Sequence, residues 1–146
     1  MPAPSDAAAT VLAAYADAVY DKDVDALCRL YDDDVRVFDM WETWSYEGLA
    51  AWRETLRGWF DSLGDERVRV TAEDVRTRDA GAGCVVSAIV TYQGLAAAGS
   101  PLRSMQNRLS WLLVDRGGAW QIVHEHTSAP IGMEDEKAIL SRSGGA

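Results

Sequence analysis

Asp39 is the carboxylate whose neighbours point most directly to chemistry. In Val35-Arg36-Val37-Phe38-Asp39-Met40-Trp41 the alternation of a strand puts Val35, Val37, Asp39 and Trp41 on one face and Arg36, Phe38 and Met40 on the other. A carboxylate on a buried face is costly unless it has partners or a task. Desolvation there raises its pKa towards working pH, as a general base requires. The competing reading is a strand-end residue bonded to backbone amides. Tyr15, on the apolar stripe of a helix, reads from its position alone as core with its hydroxyl at the rim. His124-x-His126 puts two imidazoles on one strand face. Spacing supplies no third ligand, so no metal is expected. There is no Gly-rich phosphate loop and no Ser/His/Asp or Cys/His arrangement, so no cofactor is implied.

The elements that must hold these residues follow from periodicity. Ser5 or Asp6 caps a first helix to about Tyr20, with Val11, Leu12, Tyr15 and Val19 on one stripe. Asp23 caps a second helix carrying Val24, Leu27, Cys28, Leu30 and Tyr31, and Asp32-Asp33-Asp34 ends it as a solvated turn. The strand at 35–41 leads through an aromatic segment to Gly48. A third helix spans 49–63, with Leu49, Trp52, Leu56, Trp59, Phe60 and Leu63 aligned and Gly64 at its C-terminal cap. Strands follow at 67–78, 84–92, 103–114 and 120–128, the last two joined by the turn Asp115-Arg116-Gly117-Gly118. Residues 1–130 read as one domain and 131–146 as a tail with a short helix around 134–140. Helices first and strands last make this an α+β fold.

Composition narrows the class. The chain has 146 residues, 48% hydrophobic and 25% charged, enough for one real core. Lys+Arg is 14 against 23 Asp+Glu, a net charge of -9, which argues against nucleic acid and anionic membrane surfaces. Two Cys make no disulfide framework and fit a reducing, cytoplasmic setting. The N-terminus lacks a basic n-region, so a signal peptide is not expected.

The stretch from Tyr15 through Tyr31-Asp32-Asp33-Asp34-Val35-Arg36-Val37-Phe38-Asp39 resembles the start of ketosteroid isomerases. The stretch Gly118-Ala119-Trp120-Gln121-Ile122-Val123-His124-Glu125-His126-Thr127-Ser128-Ala129-Pro130 is similar to SnoaL-like domains and to the association domain of calcium/calmodulin-dependent protein kinase II. Together they cover most of the chain and resemble the nuclear transport factor 2-like superfamily. The resemblance implies a cone: a curved antiparallel sheet wrapped around three N-terminal helices, with a pocket at its open end. It implies Asp39 as general base, Tyr15 as oxyanion donor and Tyr31 as its support. The position of the isomerase's protonated aspartic acid falls at Ser110, and the third networked tyrosine falls near Trp59 and Phe60, so the full steroid-isomerase machinery is missing.

Matching the last turn to the isomerase points Ser110, Arg108, Val123 and Glu125 into the pocket, beside Val37. A slip of one residue on the final strand would bring in His124 and His126 instead. The aromatic connection 41–48 would overhang the mouth, with Trp41 and Trp44 as a lid and Trp52 at the wall, while Trp59 and Phe60 are core. The expected function is cofactor-free acid–base chemistry on an apolar, carbonyl-bearing molecule: isomerisation, aldol-type cyclisation of the polyketide cyclase kind, or dehydration. The alternative is a non-catalytic ligand-binding or oligomerisation module. A homodimer is expected because Met105, Leu109, Trp111, Leu113 and Ile122 form an apolar face that no remaining helix covers.

Overall fold

A computed structural model describes residues 3–142. Helix α1 spans Pro4–Asp21, α2 Val24–Cys28 and α3 Leu49–Leu63. The strands are β1 Tyr31–Phe38, β2 Tyr46–Glu47, β3 Arg67–Ala80, β4 Gly83–Leu95, β5 Pro101–Arg116 and β6 Ala119–Ser128. They form one open, curved sheet in the order β2-β1-β6-β5-β4-β3. The α+β cone therefore stands, with a correction: the sheet is mixed, because β1 runs parallel to β6. A helix and a long crossing of the chain separate those strands, which allows a parallel pairing that a hairpin cannot make.

Why the helices sit inside follows from their stripes. Val11, Tyr15, Ala18 and Val19 of α1 and Trp52, Leu56, Phe60 and Leu63 of α3 are buried against the concave face. No side chain caps α1; Pro4 starts it from an extended Ala3, so neither Ser5 nor Asp6 is the cap. The second helix stops at Cys28, and Tyr31 opens β1 with the acidic run inside the strand. Asp33 and Asp34 face water, and Asp32 meets Arg116 at 3.3 Å, so no carboxylate in the run is stranded. Gly64 has φ +56, in the left-handed region that favours glycine at a helix end. The tail forms no helix at 134–140; it folds back, with Ile131 bridged to Ala138.

The register of β5 is the larger correction. Asn107, Leu109, Trp111 and Leu113 are buried on the inner face, while Arg108 and Ser110 are exposed outside. Counting back from the turn lands one residue away from the inward set, and a one-residue offset exchanges the faces. The apolar face expected to seat a second copy is therefore the core itself, with Leu109, Trp111, Leu113 and Ile122 almost fully buried.

Candidate functional site

The open end of the cone holds a cavity of about 590 Å3. Its walls come from α1 (Tyr15), the segment after β1 (Asp39, Trp41), α3 (Trp52, Thr55, Leu56, Trp59), β4 (Tyr92), β5 (Arg103, Ser104, Met105, Asn107), β6 (Glu125, Thr127) and the tail (Leu140). Asp39, Tyr15, Trp41, Trp52 and Glu125 are thus brought together as the sequence suggests. Val37 is buried behind the wall beside its register partner Glu125. Tyr31 is also behind the wall and reaches the site through a hydrogen bond.

Ser110, Arg108, Val123, His124 and His126 do not line the cavity. Ser110 stands outside opposite Ser87 and His126. The Nε of Arg108 donates to Ser128 Oγ at 3.0 Å on the same outer face. A register shift between Leu112 and Leu113 displaces Val123 from the inward alternation. His124 bonds the Arg36 carbonyl through Nδ1 at 2.8 Å, and both histidine rings meet Phe38 edge-on outside the sheet. Trp44 is 96% exposed and away from the mouth, so the lid is Trp41 alone, itself 48% exposed. Trp59 is not plain core: it lines the cavity against Tyr92.

Glu125 is the most confined charge-bearing group, 2% exposed at the base of the cavity. Its Oε1 accepts from Tyr31 Oη at 2.6 Å and from Trp111 Nε1 at 2.8 Å. Burial pushes its carboxyl up to about 7, with those donors opposing and the Asp39 charge adding to the rise. Oε2 accepts no hydrogen bond from any described residue and is the oxygen left for a ligand.

Asp39 lies just past the end of β1. Its Oδ1 accepts from Thr127 Oγ1 at 3.1 Å, and that hydroxyl in turn accepts from the Met40 amide at 3.0 Å. Partial burial raises its carboxyl above the ordinary aspartate range, against the pull of Thr127 and the backbone amides of Trp41 and Met40. Tyr15 and Tyr92 share a phenol–phenol hydrogen bond of 3.0 Å. Both hydroxyls are pushed up, chiefly by burial, so they are neutral donors at physiological pH.

Sequence reasoning missed Tyr92, Asn107, Trp111 and Thr127. Tyr92 continues the inward alternation Val86, Ala88, Val90 of β4, a signal present in the strand pattern. Asn107 is 6% exposed on the cavity wall; its Nδ2 reaches Met40 Sδ at 3.4 Å and its Oδ1 has no partner. The indole N–H of Trp52 is likewise buried without a partner. Both atoms are closed off from solvent, so each carries the free-energy cost of an unmade buried hydrogen bond. The described residues hold no cluster of His, Cys, Asp or Glu suited to a metal ion. Arg103, the one cationic wall residue among the described residues, is held by Glu66 through two hydrogen bonds at 3.0 and 2.9 Å.

The comparisons agree with this architecture. The SnoaL-like domain family matches residues 8–132, and the chain belongs to that family. Among solved structures, an NTF2-like protein of unknown function from Pseudomonas putida KT2440 is 20% identical, with a TM-score of 0.81 over 97% of this chain and 96% of the other. A putative calcium/calmodulin-dependent protein kinase II association domain from Xanthomonas campestris is 16% identical, with a TM-score of 0.70 over 88% and 89%. Aln2 from a Streptomyces species is 13% identical, with a TM-score of 0.76 over 88% and 93%. No match is found among curated proteins. No described helix is long and apolar enough to cross a membrane.

Proposed function

We propose that the protein is a cofactor-free acid–base enzyme acting on a flat, apolar, carbonyl-bearing small molecule in the cytoplasm. The observation that carries this reading is a pair of carboxyl groups, Asp39 and Glu125, on the walls of one aromatic cavity. Asp39, nearer water and backed by Thr127, serves as the base that takes a proton from the carbon beside the carbonyl. Glu125, as a neutral acid, presents Oε2 to the carbonyl oxygen and stabilises the enolate that forms. The Tyr15–Tyr92 pair adds a phenol donor. Trp41, Trp52 and Trp59 hold the rings of the ligand. Isomerisation, aldol-type cyclisation and dehydration all start from this enolisation. The two free cysteines, Cys28 and Cys84, are buried, in keeping with a reducing compartment.

The test is hydrogen–deuterium exchange beside the carbonyl of 2-tetralone in D2O, followed by NMR. Exchange above the buffer rate that is lost in Asp39→Asn supports the assignment. A second reading has its own observation: Thr127 and two backbone amides already engage Asp39, as they would in a binding module without chemistry. Binding of 2-tetralone with exchange at the buffer rate would favour that module over the enzyme.

A further inference from the structure

Strand β6 ends at Ser128, opposite Arg108, and leaves the remainder of β5 without a neighbour on that side. An open strand edge exposes unpaired N–H and C=O groups. The chain beyond Pro130 returns to cover it. The Ile139 amide donates to Pro130 O at 2.8 Å and the Gly132 amide to Lys137 O at 2.9 Å, closing a loop. That loop delivers Leu140, whose carbonyl accepts from the Gln106 amide at 2.7 Å. The Arg142 amide donates to Gln106 Oε1 at 2.7 Å, and its guanidinium pairs with Glu73 on β3. The Leu140 side chain completes the cavity wall beside Met105 and Asn107.

These attachments are shallow. Ile131, Met133 and Ile139 are 66%, 96% and 49% exposed, so the segment buries little apolar surface. A second cavity of about 280 Å3 separates it from the sheet, lined by Ile89, Arg108, Pro130 and Ile139. Few buried contacts and solvent-exposed hydrogen bonds define a segment that opens locally, without unfolding the sheet. The family match stops at residue 132, so all but the first two residues of the segment 131–142 lie beyond it.

We propose that residues 131–142 form a releasable strap that gates the cavity, and that Leu140 sets the length of ligand the closed cavity accepts. The second half of this statement rests on the reading that the cavity takes a flat ketone. With the strap closed, Leu140 walls off one end; a longer ligand must displace it. Release breaks the Gln106–Leu140 and Arg142–Glu73 contacts and leaves Asp39, Glu125 and the aromatic walls in place.

Two measurements test it on the full chain. Amide exchange of Gln106 reports opening without any ligand, because its N–H is held by the strap alone. It should exchange at least about tenfold faster than Trp111 in the same strand, and faster still in Arg142→Ala. Equal protection of Gln106 and Trp111 overturns the gate. The second arm titrates acetophenone, 2-acetylnaphthalene and 2-acetylanthracene. Leu140→Ala should favour the three-ring ketone over the one-ring ketone, and Leu140→Trp should lose the three-ring ketone first. A uniform shift of all three in both variants overturns the length role. If none binds the wild-type chain, the flat-ketone reading and the length role fall together, while Gln106 exchange still decides the gate.

Discussion

Glu125 gathers an acid, a phenol and an indole around one buried oxygen, and its titration has a definite sign. Its carboxyl sits at about 7 when folded against an ordinary 4.5. Between those values the folded chain keeps a proton that the unfolded chain has lost. The stabilisation from this group is therefore full below about pH 4.5 and lost as pH rises through about 7, a span worth on the order of 3 kcal/mol. Glu125→Gln keeps an acceptor for Tyr31 and Trp111 but has no proton to lose. Thermal melts at pH 5 and pH 8 should show the wild type losing ground to the Gln variant across that interval; parallel curves would remove Glu125 from the account. The same proton matters for turnover if Glu125 is the acid. Enolisation should fall as pH rises through about 7, and Glu125→Gln should flatten that limb. Asp39→Asn, by contrast, should cut enolisation by about two to four orders of magnitude wherever the wild-type Asp39 is ionised, while the fold survives. Unchanged turnover in that variant would give the base to another group.

At the scale of elements, the aromatic residues divide by where their segment carries them. Trp41 lines the mouth, whereas Trp44, three residues on, points into water. Trp41→Ala should weaken 2-acetylnaphthalene by about 1–3 kcal/mol, and Trp44→Ala should change neither affinity nor melting temperature. An equal loss from both would mean that the whole connection, not one indole, shapes the mouth. Glycines divide by their neighbours in the same way. A Cβ on Gly83, at the start of β4, would lie 2.6 Å from the Leu113 carbonyl of β5, while one on Gly58 in α3 meets nothing within 4 Å. Gly83→Ala should destabilise by about 1–3 kcal/mol, because both backbones must part. Gly58→Ala should stabilise by about 0.5–1 kcal/mol through helix propensity. Paired denaturant titrations compare them. The stripes of α1 and α3, the inward Val35 and Val37 of β1 and the inward Glu125 and Thr127 of the last strand are legible in the sequence because period and burial agree there, whereas the irregularity that displaces Val123 breaks the period. The facing of β5 is not legible from its turn: counting from 115–118 exchanges the faces, although Leu109, Trp111 and Leu113 carry the greater apolar weight and Ser110 and Arg108 the lesser. Tyr92 and Leu140 join the site through tertiary contacts, which a local pattern does not encode.

For the whole molecule, the inward turn of Leu109, Trp111 and Leu113 removes the first argument for a second copy and replaces it with another. The outer face is now the exposed one, and its cross-strand rows can be read directly. Val85 pairs with Leu112, and Leu112 with His124. Ser87, Ser110 and His126 form the next row, ending at Phe38. Val85 is 42% exposed, and Leu112 and Val114 are half-buried beside it. This short apolar strip is flanked by polar rows. We propose that a homodimer forms there, the strips of two copies meeting face to face under twofold symmetry. Leu112→Asp places a charge at the centre of that contact, and because Leu112 projects outward it disturbs no inner packing. The variant should keep its melting profile at low concentration yet run as a monomer by light scattering at micromolar concentration, where the wild type runs as a dimer. Cavity binding should survive in the monomer, since the strip lies on the outer face of the sheet and the cavity on the inner one. A wild-type chain that is already monomeric, or a Leu112→Asp chain that remains dimeric, would place the assembly surface elsewhere or remove it.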